Sequence, residues 1–191
     1  MAMAPRIPMI TGEGSDLSPE QKRVADETKS GPRGHVPAPL LALLHRPDIA
    51  DPLQKLGGVL RYATGLGPRL SELAILVTAR AWDCEQEWSF HVPPAREAGL
   101  EEEIIAAISA GKRPNLTNAD DIAVYDYVDQ MQTHHRIEDA TYAAVLNRWG
   151  VSGPVALSAL SGYYSMIAQT LLAHGVPVPP GKVIPLPAIK R

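Results

Sequence analysis

Apolar and polar residues follow one another along most of this chain with a helical period, and nowhere alternate at period two for long enough to suggest a sheet. Leu70, Leu73, Ala74, Val77 and Ala81 recur at helical intervals, which predicts an amphipathic helix with Glu72 riding on it. Asp83, with Gln86 three positions later, has the form of a capping box and is expected to open a second helix at Cys84. Residues 84, 87, 88 and 91 share one face of that helix. Pro93-Pro94 should kink or shorten it before Gly99 ends it.

Further elements flank this pair. Ser18-Pro19-Glu20 has the form of a helix start, with a stop expected near Gly31-Pro32. Leu40, Leu41, Leu43 and Leu44 predict a short apolar helix ending before Pro47. Asp48 begins another, to about Tyr62, with Leu53, Leu56, Val59 and Leu60 expected to face inward. Gly57-Gly58 weakens it, and close approach of another helix would account for the pair. Leu100–Ala110 is a compact helix with glutamates in its first turn and Gly111 at its close. Asn118 caps a long helix to about His134, with Ile122, Val124, Tyr125, Val128 and Met131 as candidates for burial. Glu138–Trp149 and Ser152–His174 complete the set, the last being the most apolar and ending at Gly175. The fold class is all-α. The organisation expected is an N-terminal arm at 1–17, a single helical domain at 18–175 and a Pro-rich tail at 176–191 that wraps over the surface.

Composition narrows the picture in three ways. The length of 191 residues suffices for one domain with a real core. A net charge of −3 gives no reason to expect nucleic acid or an anionic membrane as partner. One cysteine excludes an internal disulfide framework and fits a reducing compartment. The N-terminus lacks a signal-peptide core, and no stretch is expected to reach the length of a membrane span, so the expected location is cytoplasmic.

The chemistry gathers between Arg69 and Leu100. Glu72, Cys84, Glu87 and His91 stand at intervals that suggest a single acid–base cluster. His91 titrates near neutrality and is a candidate to move protons, with Glu72 to orient it; alternatively the two merely satisfy each other between packed helices. Cys84 reads either as a buried small hydrophobe or as a thiol drawn toward thiolate by a helix N-terminus. Glu87 is a second carboxylate for acid–base work, or faces solvent, or pairs with an arginine such as Arg80. Trp88, Tyr163, Tyr164 and Met166 either wall a pocket for a flat organic molecule or belong to the core. Arg69 and Arg80 are candidate carboxylate anchors or structural ion-pair partners. His134-His135-Arg136 reads as a solvated helix end. The spacing matches no strong zinc signature, so no metal is expected.

The frame Glu72-x11-Cys84-x2-Glu87-x3-His91 resembles that of the carboxymuconolactone decarboxylase and AhpD-like alkylhydroperoxidase superfamily, over roughly residues 45–125. The resemblance implies an AhpD-like helical bundle, a homo-oligomer (dimer, trimer or hexamer) and catalysis without a cofactor. The peroxidase branch carries a second cysteine where this chain has Glu87, which removes the dithiol on which that activity rests. Cys-Glu-Gln-Glu-Trp followed by His-x-Pro, and the later Gly162-Tyr163-Tyr164-x-Met166 and His174-Gly175-Val176-Pro177, are similar to a decarboxylase-like branch. The first reading is therefore a cofactor-free acid–base enzyme acting on a small lactone, enol or carboxylated ring compound. His91, Glu72, Cys84 and Glu87 would be its catalytic set, and Trp88, Arg80, Tyr163 and Tyr164 would line its substrate site. The rivals are a thiol-dependent, peroxiredoxin-type hydroperoxidase using Cys84, and a non-catalytic helical oligomer binding a hydrophobic ligand.

Overall fold

The computed structural model describes residues 4–31, 33–179 and 181–189. Residues 1–3 of the expected arm, Pro32 at the expected end of the first helix, and Pro180, Lys190 and Arg191 of the tail lie outside the described residues. Among those described there are nine helices and no strand: α1 (Pro19–Ser30), α2 (Ala38–Leu43), α3 (Pro47–Tyr62), α4 (Pro68–Ala81), α5 (Glu85–Glu97), α6 (Glu102–Ser109), α7 (Ala119–His134), α8 (Asp139–Trp149) and α9 (Ser152–His174). The chain forms two compact units. One takes the residues up to Val59 together with Gln169–Pro177, the other Leu60–Ala168 and the tail from Val178.

In the first unit the Ser18 hydroxyl accepts from the Gln21 N–H while the Gln21 side chain returns to the Ser18 N–H, a complete capping box with Pro19 in the first turn. Val24, Ala25, Leu40, Leu44 and Ala50 form its core, with Ile10, Val36 and Leu43 packed against them. The described part of the arm lies on its own chain. Ile10 N–H donates to Leu41 O, and Arg6 N–H to His174 O.

The second unit is built around α4, which packs against α5, α6 and α7, while α7 also packs on α8. Every residue from Ser71 to Arg80 is buried. A helix sheltered all round must be apolar or have its polar groups bonded, and α4 meets that condition with Thr78 bonded to Ala74 O and Arg80 bonded at its fork. Asn118 caps α7 through the Asp120 N–H, as expected.

Several expectations are corrected. Asp83 does not cap α5. It sits in the left-handed region at φ 51°, one residue past Trp82, the C-cap of α4. Its N–H donates to Arg80 O and the N–H of Cys84 to Ala79 O, the Schellman pattern for closing a helix. Aspartate tolerates that conformation better than most residues, and its carboxylate pairs with Arg80. The cap position of α5 therefore falls to Cys84. Pro93 and Pro94 lie inside α5, which continues beyond them to Glu97 rather than stopping short. Along α3, Leu53 and Leu60 are buried, but Leu56 and Val59 are 47% and 57% exposed. The buried arc runs through Ala50, Leu53, Gly57 and Leu60, and the other two lie past its edge. A Cβ on Gly58 would meet nothing within 4 Å, so close approach does not explain that glycine. Finally, α9 is long and apolar enough, by length and composition, to cross a membrane. Its serines hide this in the sequence, while Leu157, Leu160 and Ala168 are fully buried.

Candidate acid–base site

Two helices supply the reactive groups. Glu72 lies in the first half of α4, and Glu87 and His91 stand one turn apart on α5. His91 Nδ1 lies 2.7 Å from Glu72 Oε2. On the other side of the ring, Nε2 is 3.3 Å from Glu87 Oε2. That is an ion-pair distance, but the alignment leaves Glu87 Oε2 with no hydrogen-bond partner among the described residues. All three side chains are buried, with Glu87 only 4% exposed. A buried carboxylate oxygen left unsatisfied is costly, and such sites call for an explanation.

Burial by itself would hold His91 neutral. The charges of Glu72 and Glu87, with the hydrogen bonds they offer, outweigh it and raise the imidazole to about 9. At neutral pH the ring is therefore an imidazolium between two carboxylates. The edge-to-face ring of Tyr164 closes a further side at 5.0 Å between centroids, and Tyr163 packs edge-on against Tyr164. Burial, and then the Glu87 charge, holds the Tyr164 hydroxyl protonated well past its ordinary range.

Cys84 is fully buried at the start of α5. Burial pushes its thiol up to about 12, and Glu87 adds to the rise; the backbone N–H groups of Glu87 and Gln86 pull the other way and lose. Of the two readings of Cys84, the buried small hydrophobe is the one its burial favours, because desolvation raises the thiol by more than the backbone N–H groups lower it.

The sequence-predicted residues separate into two groups. Glu72, Glu87, His91 and Tyr164 come together, with Tyr163 behind Tyr164 and Trp88 buried beside Glu87 in sequence. Arg80 does not join them. It donates to Ser109 O and Pro187 O, pairs with Asp83, and lines a separate cavity of about 320 Å³ with Tyr125 and Asp129. It is thus not the partner of Glu87. Arg69 is equally committed, to Asp121, Glu101 and Gly99 O. Met166 is 38% exposed and is not part of a buried wall. A second cavity of about 440 Å³ lies between α5 and the tail, bordered by Phe90, Pro93 and Lys182.

Sequence reasoning missed Ser89. Its hydroxyl donates to Ile184 O and accepts from the Ile184 N–H, while Leu186 N–H reaches Glu85. The tail is thereby tied along α5. A small polar residue between Trp88 and Phe90 carries no periodic signal; its burial alone reveals the role.

Residues 47–117 match the model of the carboxymuconolactone decarboxylase family. None of the curated proteins matches. Among solved structures, the chain is similar to one from Ralstonia eutropha JMP134, described as an alkylhydroperoxidase AhpD core of an uncharacterized peroxidase-related protein. The TM-score is 0.68 at 15% identity, over 87% of this chain and 88% of that one. The likeness shows a common helical fold, and the family match contains Glu72, Cys84, Glu87 and His91. Over residues 47–117 the chain is thus similar to the carboxymuconolactone decarboxylase family, and its helical fold is that of the AhpD core.

Proposed function

We propose that this chain is a cofactor-free acid–base enzyme of the decarboxylase-like kind, acting on a small lactone, enol or carboxylated ring compound. The observation that carries the reading is the His91 imidazole held between Glu72 and Glu87, beside a thiol that stays protonated. His91 is the acid. Its Nε2, 3.3 Å from Glu87 Oε2, would donate to a substrate oxygen brought beside it, and Glu72 on Nδ1 keeps the ring charged and oriented. Glu87, with its unsatisfied oxygen, is the proton carrier on the same side.

In an isomerisation, Glu87 takes the proton from the carbon beside a carbonyl and the electron pair moves onto the oxygen, where His91 stabilises it. The proton then returns at another carbon. In a decarboxylation, the bond to the carboxylate breaks, carbon dioxide leaves, and the electron pair enters the same enolate before a proton closes the cycle. Neither course changes an oxidation state at sulfur. A hydroperoxidase, in contrast, needs a thiolate as nucleophile, and Cys84 is held away from that state.

The test is turnover of a panel of lactones, enols and ring carboxylates in deuterium oxide, beside an organic hydroperoxide with dithiol. Deuterium at the product carbon, lost in H91Q and E87Q, is the expected result. Hydroperoxide reduction abolished in C84S would overturn the reading.

A further inference from the structure

The cavity of about 320 Å³ that Arg80 lines is built by α4, α7, the turn after α6 and the tail. None of Glu72, Cys84, Glu87 and His91 borders it, so it is separate from the acid–base cluster. Val77 and Ile108, both buried, give it apolar walls. Ile189 of the tail is a further wall, seated so close to Gly111 that a Cβ there would lie 2.9 Å from its Cδ1. Arg80 Nη1 holds the tail in place through Pro187 O.

Three polar side chains on the α7 wall are of one kind. Asp129, Gln132 and Thr133 follow at helical steps and share a face. Asp129 is half-buried, and among the described residues its carboxylate makes no hydrogen bond or ion pair. Arg113 is spent on Asp126 and rests over the Tyr125 ring. Burial, and then the Asp126 charge, pushes the Asp129 carboxyl above its ordinary range; a cation beside it works in the opposite sense. Gln132 Nε2 donates to Ser161 Oγ at 2.7 Å and to Ser165 Oγ at 2.8 Å. The Ser165 hydroxyl itself donates to Ser161 O, so its oxygen can only accept here. That fixes which end of the Gln132 amide meets the serines and leaves the carbonyl oxygen Oε1 as an open acceptor. Thr133 Oγ1 gives its proton to Asp129 O and likewise has only lone pairs left to offer.

A carboxylate, an amide oxygen and a hydroxyl oxygen thus stand together with no proton to give, a set matched by the three donors of an ammonium. The cations of the cavity are disposed differently. Arg80 is balanced by Asp83 and bonded to two carbonyls. Lys112 is exposed and, among the described residues, makes no ion pair, with Asp129 or any other. We propose that this cavity binds a small zwitterion, an amino acid with an apolar side chain. Its ammonium would sit on Asp129, Gln132 Oε1 and Thr133 Oγ1, its carboxylate on Lys112, and its side chain among Val77, Ile108 and Ile189. The volume lies at the lower end of the range for small-molecule sites, which suits a ligand of that size. The site stands independently of the acid–base reading.

The experiment titrates the full chain, by calorimetry or nuclear magnetic resonance shifts, with three molecules of one shape. Leucine carries both charges, leucinol the ammonium alone, and 4-methylpentanoate the carboxylate alone. Wild type should bind leucine best and leucinol next. D129N, which keeps the shape and removes the charge, should weaken leucine and leucinol roughly tenfold or more, as for a hydrogen bond to a charged group. Its affinity for 4-methylpentanoate should be unchanged. K112M should weaken leucine by up to about fivefold, as for an exposed ion pair, and leave leucinol as it was. H91Q should leave all three affinities unchanged, which separates this cavity from the acid–base cluster. Equal leucine affinity in wild type and D129N, loss of leucine binding in H91Q, or no saturation by any of the three would overturn the proposal. So would 4-methylpentanoate binding wild type as tightly as leucinol, a comparison that needs no variant and stands even if D129N does not fold.

Discussion

Nδ1 of His91 lies 2.7 Å from Oε2 of Glu72, with both side chains buried and drawn from different helices. This contact joins α4 to α5 through a charged hydrogen bond in a dry setting. Removing one member leaves the other without its partner, which costs more than the pair itself is worth. E72Q should therefore lower stability by about 3 kcal/mol, the lower end for a broken buried pair. It should also bring the His91 titration down from about 9. Urea unfolding gives the first quantity and histidine resonances in a pH series give the second.

The same pair sets a pH dependence of stability. The folded-state value of His91, about 9, lies above its ordinary 6.5. Protons are thus bound more tightly by the folded chain. The stabilisation is complete below about 6.5 and is lost as pH rises through about 9, about 3 kcal/mol in all. Thermal unfolding between pH 6 and pH 10 should show this alkaline loss in wild type and much less of it in H91Q. An identical decline in both would place the titrating group elsewhere.

The parts of this site that local rules govern were legible in the sequence. The apolar period around Glu72, the one-turn step from Glu87 to His91 and the Asn118 cap all depend on residues within a few positions of one another. Two features were not legible. Asp83-Cys84-Glu85-Gln86 spells a capping box, yet the tight closure of α4 claims Asp83 for a left-handed position, a choice made by the chain before it rather than after. Cys84 shows the same limit. Its place at a helix start can be read from the sequence, but burial decides its charge, and burial is a property of the packed unit. The arginines fail for a related reason, because nothing local shows that Arg69 and Arg80 are held by carboxylates and carbonyls far away in sequence.

Activity should share the alkaline limit. If His91 acts as an acid, kcat/KM must fall as the imidazolium loses its proton, with an apparent midpoint near 9. A pH–rate profile from 6 to 10.5 measures it. E72Q should move that limb toward lower pH, since Glu72 is one of the two charges that hold the proton. A profile that instead rises with a thiol-like limb, and flattens in C84S, would contradict the assignment.

Ile49, Leu56 and Val59 are 42%, 47% and 57% exposed along α3 at intervals of seven and three residues. A stripe of that kind on a helix is the surface a second copy would cover. A homo-oligomer is the expected state in solution. Light scattering should return a multiple of the 20.6 kDa chain mass, and L56D/V59D should reduce it. A mass of one chain at micromolar concentration would refute the assembly.

The two enzymatic readings part at Cys84 and Glu87, which lie three positions apart at the start of α5. A peroxidase would need the sulfur, and it would need it ionised. The thiol is fully buried and held up at about 12, so alkylation by iodoacetamide at pH 8 should be slow until the chain unfolds. Acid–base chemistry needs only Glu87 and His91. C84S should accordingly keep most of the native turnover, since a hydroxyl fits the same space and no step uses the thiol. H91A should lose about a hundredfold, the lower range for a general acid or base. E87Q should lose nearly as much, because the amide keeps the shape and removes the proton acceptor whose Oε2 stands unsatisfied beside His91. The comparison is made on one substrate under one buffer, with the hydroperoxide and dithiol assay run alongside. Complete loss in C84S with H91A mildly affected would transfer the chemistry to sulfur, whereas the opposite order assigns it to the carboxylate and the imidazole.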